Sequence, residues 1–291
     1  MKRQILIDCL NPVPPESLFH YTTQTGLLGI IKNQEIWATH TQYLNDRREF
    51  LHALSLVKEE IAKMLGDAKE VRTRELLTEM EQGVHGREVI NICVCSFSAD
   101  KDSLPQWRGY GASSSGYAVG FNGTFLGQIA HGNNFYLVRC IYDEASQRAI
   151  IRALLEEVLE ENIERDRVRQ DAFLPDGGNL CAYLNRFAPV FKDSSFESER
   201  EWRLISPPLG CKFERFDFRV GHSMVVPYFR LPLFANDLPF QVHEVVIGPT
   251  PHPDQSVLSV QSLLVSEGLS GGGVVTQKVP VIVSRIPYRN W

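Results

Sequence analysis

No stretch of this 291-residue chain approaches the roughly 20 consecutive apolar residues of a membrane-spanning helix. The N-terminal apolar run Ile5-Leu6-Ile7 is stopped by Asp8 and then by Pro12, Pro14 and Pro15, too soon for the core of a signal peptide. A cytoplasmic location with no membrane partner is the expectation. Cysteine is sparse and scattered, at positions 9, 93, 95, 140, 181 and 211, which does not suggest a small disulfide framework. Cys93 and Cys95 are separated by one residue and no second pair follows, poor spacing for zinc. They read as small apolar residues on one strand face. The eight histidines show no His-x-x-x-His spacing, so no metal is expected. Basic charge is in deficit, with 30 Lys and Arg against 35 Asp and Glu and a formal net charge of −5. That argues against strong non-specific binding to nucleic acid, which needs many cationic contacts to phosphates, though a local basic groove remains open. There is no internal repeat or low-complexity tract. Gly271-Gly272-Gly273 is not followed by a capped helix, so it is not a phosphate cradle.

What the chain has is an ordinary globular composition, 43% hydrophobic and 22% charged, enough to bury one large core. One domain over 1–291 is expected. Leu18 to Thr22 reads as a strand, and Thr23 or Thr25 caps a short helix carrying Leu27, Leu28, Ile30 and Ile31. Residues 36–39 form a second strand. Asn45-Asp46 opens a helix over 47–65, whose apolar stripe is Phe50, Leu54, Val57, Ile61, Met64 and Leu65. A more solvated helix follows within 66–88, with Leu76, Leu77 and Met80 inward. The run 89–97 is almost wholly apolar and predicts a central strand. Residues 98–115 read as a polar loop, and 116–121 and 135–142 as strands. Helices over 144–170 and 179–191, broken at Pro175-Asp176-Gly177-Gly178, look like an insertion at about 144–191. Strands are expected at 197–206, 213–218, 224–228, 242–249 and 274–286, with a helix from Pro253 to near Gly268. The pattern is a mixed α+β chain.

If 197–206 is a strand, Glu197, Glu199, Glu201 and Arg203 share one face and Arg200, Trp202 and Leu204 the other. Like charges stacked along a strand are unfavourable, so the row calls for open water or a chemical task. His20 lies on the first strand between Phe19 and Tyr21. A lone histidine is usually structural, but Thr22 shares its face and a helix follows directly. Asn45 and Asp46 serve as helix caps and are also ligand candidates. Tyr43, Trp107, Tyr110 and Tyr117 are either stacking partners or packing. Arg47, Arg48 and Arg108 read as surface arginines.

Phe19-His20-Tyr21-Thr22-Thr23, then Leu27-Leu28-Gly29-Ile30-Ile31 and Ile36-Trp37-Ala38-Thr39, resemble the opening of ADP-ribosyltransferase-like folds. The chain over roughly 18–290 also resembles a bacterial family defined only as a domain of unknown function and grouped with that fold. Its pieces stand in order: His20-Tyr21-Thr22; Tyr43-Leu44-Asn45-Asp46 with Glu49; Cys95-Ser96-Phe97-Ser98; Leu104, Trp107 and Tyr110; Gly116 to Phe121; Phe191-Lys192; Glu199 to Arg203; and Val246 to Pro249. The resemblance implies a mixed, mainly antiparallel split β-sheet with flanking helices and a helical insertion. It implies NAD as substrate, not as a retained cofactor.

Breaking the nicotinamide–ribose bond develops an oxocarbenium-like cation, as in glycoside cleavage, which a preorganised carboxylate stabilises. By the resemblance Glu201 is the catalytic carboxylate and Glu199 assists the acceptor, with their order open. His20, Tyr21, Thr22, Asn45, Trp107, Tyr110 and Arg203 form the NAD-binding set. Arg203 either pairs with the glutamates or contacts the pyrophosphate. There are departures. Tyr21 stands where the histidine class usually has glycine, Trp37 replaces an expected second-strand tyrosine, and the Glu-x-Glu pair belongs with a subclass whose early residue is arginine. Three activities are implied: ADP-ribose transfer to a macromolecule by a toxin or phage-defence effector, NAD glycohydrolysis, or non-catalytic binding of a nucleotide or partner.

Overall fold

The computed structural model describes residues 2–43, 47–83, 91–110, 116–163, 180–221, 223–235, 237–271 and 278–287. In chain order the elements are α1 (Lys2–Leu10), β1 (Ser17–Thr22), α2 (Gln24–Asn33), β2 (Glu35–His40), α3 (Arg47–Asp67), α4 (Val71–Gly83), β3 (Cys93–Ser98), α5 (Leu104–Tyr110), β4 (Tyr117–Asn122), α6 (Gly123–Gly132), β5 (Tyr136–Arg139), α7 (Glu144–Ile163), α8 (Leu180–Phe187), β6 (Glu201–Ile205), β7 (Phe216–Val220), β8 (Val225–Pro232), β9 (Glu244–Ile247), α9 (Pro253–Ser266) and β10 (Val281–Val283).

The strands form one open, largely antiparallel sheet in the order β10-β9-β4-β1-β3-β2-β8-β7, with β6 on the other edge of β3 and β5 beyond it. Only the β9–β10 pair is parallel among the described strands. β3 is where the sheet divides. β1 meets β3 at its C-terminal end, Phe19 opposite Ser98. β2 meets the same edge at the N-terminal end, through Thr39–Val94 and His40–Cys93. Between them Cys95, Ser96 and Phe97 have no strand partner on that edge, while on the other edge β6 pairs along the strand from Val94 to Ser98.

Alternation along β3 feeds two cores. Cys93, Cys95 and Phe97 join α2, α6 and α9 on one face. Val94 joins α1, α3, α4, α7 and α8 on the other. The periodic stripes lie where expected: Val57, Ile61 and Met64 of α3 and Leu76, Leu77 and Met80 of α4 are buried. Thr23 caps α2 by accepting from Gly26 N at 3.2 Å. A Cβ at Gly26 would lie 1.9 Å from Thr22 Oγ1, so any larger residue there forces the Thr22 side chain to move.

Three helices depart from the sequence expectation. α1 forms because Leu6, Cys9 and Leu10 fall at steps of three and four and are buried against the second core; tertiary packing stabilises a helix too short to persist alone. α5 occupies what reads as a loop, started by Pro105 in its first turn and anchored by buried Trp107. α6 follows β4 without a break, capped by Asn122, whose side chain accepts from Thr124 N and Phe125 N. The insertion between β5 and β6 contains α7 and α8. Its continuation past 163, the break at Pro175–Gly178, and Asn45 and Asp46 lie outside the described residues.

Candidate functional site

The glutamate segment is not one continuous strand. Residues Ser194–Glu199 form a 3-10 helix, capped by Asp193, and Arg200 turns the chain in the left-handed region (φ 46°) before β6 starts at Glu201. Glu197 and Glu199 are therefore not on the strand face of Glu201 and Arg203. Asp193 at the cap makes a turn more favourable than continued extension, which overrides the alternation pattern.

Glu201 and Arg203 do share a face of β6, and both are only 4% exposed. Arg203 grips the carboxylate with a fork: Nε donates to Oε1 at 2.8 Å and Nη2 to Oε2 at 3.0 Å. Its Nη1 donates to the Pro189 carbonyl at 2.8 Å. Such charge-assisted forks fix geometry as well as charge. Lys192 Nζ donates to both Glu199 and Glu201, bridging the 3-10 helix to the strand. The bonds to Glu201 occupy about three of the four lone-pair sites of a carboxylate and leave one on Oε1. Burial alone would raise the Glu201 pKa, but Arg203 and Lys192 outweigh it and hold the carboxyl at about 2. Burial likewise disfavours the Lys192 ammonium, yet Glu201 and Glu199 push its pKa above the ordinary lysine value. Glu201 is thus an ionised carboxylate, buried and held by two cationic side chains.

The helical insertion supports this cluster. The Glu201 amide donates to Tyr142 Oη at 2.8 Å. Gln147 of α7 donates from Nε2 to the carbonyls of Ile141 and Lys192, at 2.6 and 2.9 Å. Pro189, which ends the insertion, receives Arg203.

His20 is placed by the division of the sheet. Its Nδ1 lies 2.9 Å from the Ser96 carbonyl, on the stretch of β3 that neither β1 nor β2 covers. A carbonyl only accepts, so Nδ1 carries the proton. Burial lowers the His20 pKa against an opposing effect of the Ser96 bond. The ring is neutral, with its Nε2 lone pair unprotonated.

Both centres line a single cavity of about 770 Å³. His20 and Leu18 alternate toward the first core face, whereas Glu201 and Arg203 lie on the second. The opening between β1 and β2 lets one cavity reach both. Thr22, Tyr110 and Glu199 also line it. Tyr110 is 45% exposed overall, but crowding of its hydroxyl and the nearby Glu201 and Glu199 carboxylates push its pKa up to about 12.

Other expected members are placed differently. Trp107 is buried, packs edge-on against Tyr21 at 4.6 Å, and donates from Nε1 to Asp102 at 2.7 Å. It does not line the cavity and is a packing residue; an apolar face inside α5 is not visible when 98–115 reads as a loop. The Tyr21 ring follows Trp107. Although Tyr21 contributes to the wall, its hydroxyl is used by the Asp100 carbonyl and the Ser103 amide. Tyr117 is buried in the first core. Arg203 pairs with Glu201, and no separate pyrophosphate role is needed to explain it. Asn45 lies outside the described residues.

Three residues carry weight that the sequence reading did not assign. Lys192 stood in the quoted pattern without a role; a lysine closing the apolar run Ala188–Phe191 is its only sequence signal. Trp37 and Arg219 line the cavity from β2 and β7. Among the described residues no group of three or more His, Cys, Asp or Glu side chains is placed to hold a metal ion. No described helix is long and apolar enough to cross a membrane.

A family model described as a protein of unknown function (DUF2971) matches residues 106–204, a shorter span than the 18–290 of the resemblance. It runs from α5 to β6 and so includes Tyr110, Lys192, Glu199, Glu201 and Arg203, but not His20, Trp37 or Arg219. No curated protein and no solved structure matches the chain.

Proposed function

We propose that the chain is an NAD-consuming enzyme of the ADP-ribosyltransferase type that transfers ADP-ribose to a macromolecular acceptor, as a toxin or defence effector would. The observation that carries this reading is the ionised, forked carboxylate of Glu201 opening into the same cavity as a neutral His20. The divided sheet around that cavity supports an ADP-ribosyltransferase-like fold.

In the proposed reaction the nicotinamide–ribose C–N bond breaks and its electron pair leaves with neutral nicotinamide. The ribose carbon becomes oxocarbenium-like. Glu201 stabilises that cation electrostatically and, through the open site on Oε1, accepts a hydrogen bond from a ribose hydroxyl. Because Arg203 and Lys192 hold the carboxylate in place beforehand, little reorganisation is needed as charge develops. His20 offers Nε2 as an acceptor to the substrate. The Glu199 carboxylate accepts its one described hydrogen bond from Lys192, and the side chain is more accessible than that of Glu201. It is the better placed to take the proton from the acceptor as the new bond to the ribose carbon forms.

Incubation with labelled NAD, with and without cell lysate, tests the proposal. Label on protein or nucleic acid is expected. Glu201→Gln should lower turnover by about 10² to 10³, and Glu199→Gln should lower transfer more than NAD cleavage. Free ADP-ribose alone would assign a glycohydrolase. If NAD is neither bound nor consumed, the enzymatic reading fails and a non-catalytic binding role replaces it.

A further inference from the structure

Four cationic and three carboxylate side chains line the cavity: Lys32, Lys192, Arg203 and Arg219 against Glu35, Glu199 and Glu201. Lys192 and Arg203 are matched by Glu199 and Glu201. Glu35 accepts from Trp37 Nε1 at 3.3 Å. Arg219 of β7 is different. Among the described residues its Nε is shut off from solvent and has no hydrogen-bond partner, and its one described bond is a long one, from Nη2 to Thr39 Oγ1 at 3.4 Å. Arg230 of β8 also has a shut-off Nε without a hydrogen bond among the described residues, but it has the Asp217 carboxylate at 3.7 Å and does not line the cavity. A guanidinium donor withdrawn from water and left unmet is a standing cost. An anion in the cavity would pair with the rest of the guanidinium, which lines the wall, and offset part of that cost through the charge.

An aromatic surface starts one alternate position along β2 from Thr39, the residue that Arg219 reaches. Trp37 and Thr39 alternate to the same face of β2. The Trp37 ring rests on Tyr228 at 4.5 Å between centroids, yet Trp37 stays 45% exposed and lines the cavity. A supported indole open on its free side is suited to base stacking, which any base can satisfy. A guanidinium beside it is suited to phosphate oxygens.

We propose that Arg219 and Trp37 form a nucleotide subsite in which Arg219 binds a phosphate and Trp37 stacks the base. The register sets its distance from the carboxylates. Thr39 stands opposite Val94 and Glu201 opposite Ser98. Those positions are four residues apart along β3, about 13 Å of strand, with Val94, Ser96 and Ser98 pointing to one face. A ligand filling that span carries its phosphate and base well away from the bond near Glu201. The subsite deepens the proposed function, and its link to the cleaved bond rests on that reading; the nucleotide binding itself does not.

Calorimetric titration with ADP, adenosine and inorganic phosphate separates the two. Wild-type protein binds ADP. Arg219→Gln weakens ADP at least tenfold and leaves adenosine unchanged, while Trp37→Ala weakens both. Arg219 lies on an edge strand and is partly exposed, so the variant retains the wild-type circular dichroism spectrum. Failure of wild-type protein to bind ADP, or equal ADP affinity in Arg219→Gln, overturns the subsite. If ADP binding depends on Arg219 but NAD is not consumed, the reaction falls and the subsite stands. If NAD is consumed and Arg219→Gln binds ADP normally, the subsite falls and the reaction stands.

Discussion

At the scale of single residues, the candidate site is governed by desolvation set against pairing. Glu201 is buried with Arg203 and Lys192, and removing one member leaves the others uncompensated, which costs about 3–5 kcal/mol for a buried pair. Glu201→Gln therefore tests chemistry and stability together, and its loss of activity has to be measured below its own melting transition. The same burial gives a pH dependence of defined sign. The Glu201 carboxyl falls from 4.5 to about 2 on folding, corresponding to about 3 kcal/mol. That stability is fully present above pH 4.5 and lost as pH drops toward 2. His20 and His40 are lowered from 6.5, in each case by burial against a smaller hydrogen-bond effect. Below pH 6.5 the unfolded chain takes up protons that the folded chain refuses, so stability begins to fall there. Urea midpoints measured from pH 8 to pH 3 should be flat above about 7, decline gently below 6.5 and steeply below 4.5. His20→Asn should reduce the gentle phase without removing it, because His40 remains. A midpoint that rises on acidification between pH 6.5 and 5 would contradict the burial of these rings.

At the scale of elements, the helices between β5 and β6 support the site from behind. Gln147 is the connection: its Nε2 donates to Ile141 and Lys192 carbonyls, and its Oε1 lies 2.9 Å from His52 Nε2 of α3. Gln147→Leu keeps the bulk and strands those groups, so it should destabilise the protein by about 1–3 kcal/mol and loosen the Lys192 segment. Chemical denaturation and the NAD assay on one preparation check both; an unchanged stability would show that α7 does not hold Lys192. The same elements show what was legible in the sequence. β1, α2 and β2 follow from Thr23, from the spacing of Leu27, Ile30 and Ile31, and from the β-rich runs on either side. Glu201 and Arg203 as strand neighbours follow from alternation. The 3-10 turn at Ser194–Glu199 does not, because its determinants are one capping aspartate and a left-handed Arg200 that no periodic pattern marks. Lys192 and Gln147 were illegible for another reason: their partners are set by tertiary packing, and a lysine or glutamine in a helix or loop reads as a solvated residue until its surroundings are known. Arg219 is subject to the same limit, since β7 approaches Thr39 only through β8.

At the scale of the whole molecule, the divided sheet has a mechanical consequence. One wing is β10-β9-β4-β1, the other β2-β8-β7, and they share β3 only at its two ends. The cavity lies in the opening between them, with His20 and α2 on one side and Trp37 and Arg219 on the other. A ligand occupying its whole length touches both wings and ties them together, whereas a ligand held only at the carboxylates touches one wing and β6. Hydrogen exchange distinguishes these arrangements, because local opening energies are reported segment by segment. ADP-ribose at about one hundred times its dissociation constant should stabilise the fold by about 2.7 kcal/mol. It should slow exchange both in β1–α2 and in β7–β8. Arg219→Gln should lose the protection in β7–β8 while keeping part of that in β1–α2. If wild-type protection is confined to β1–α2, the ligand does not reach the Arg219 wall and the two ends of the cavity do not act on one molecule.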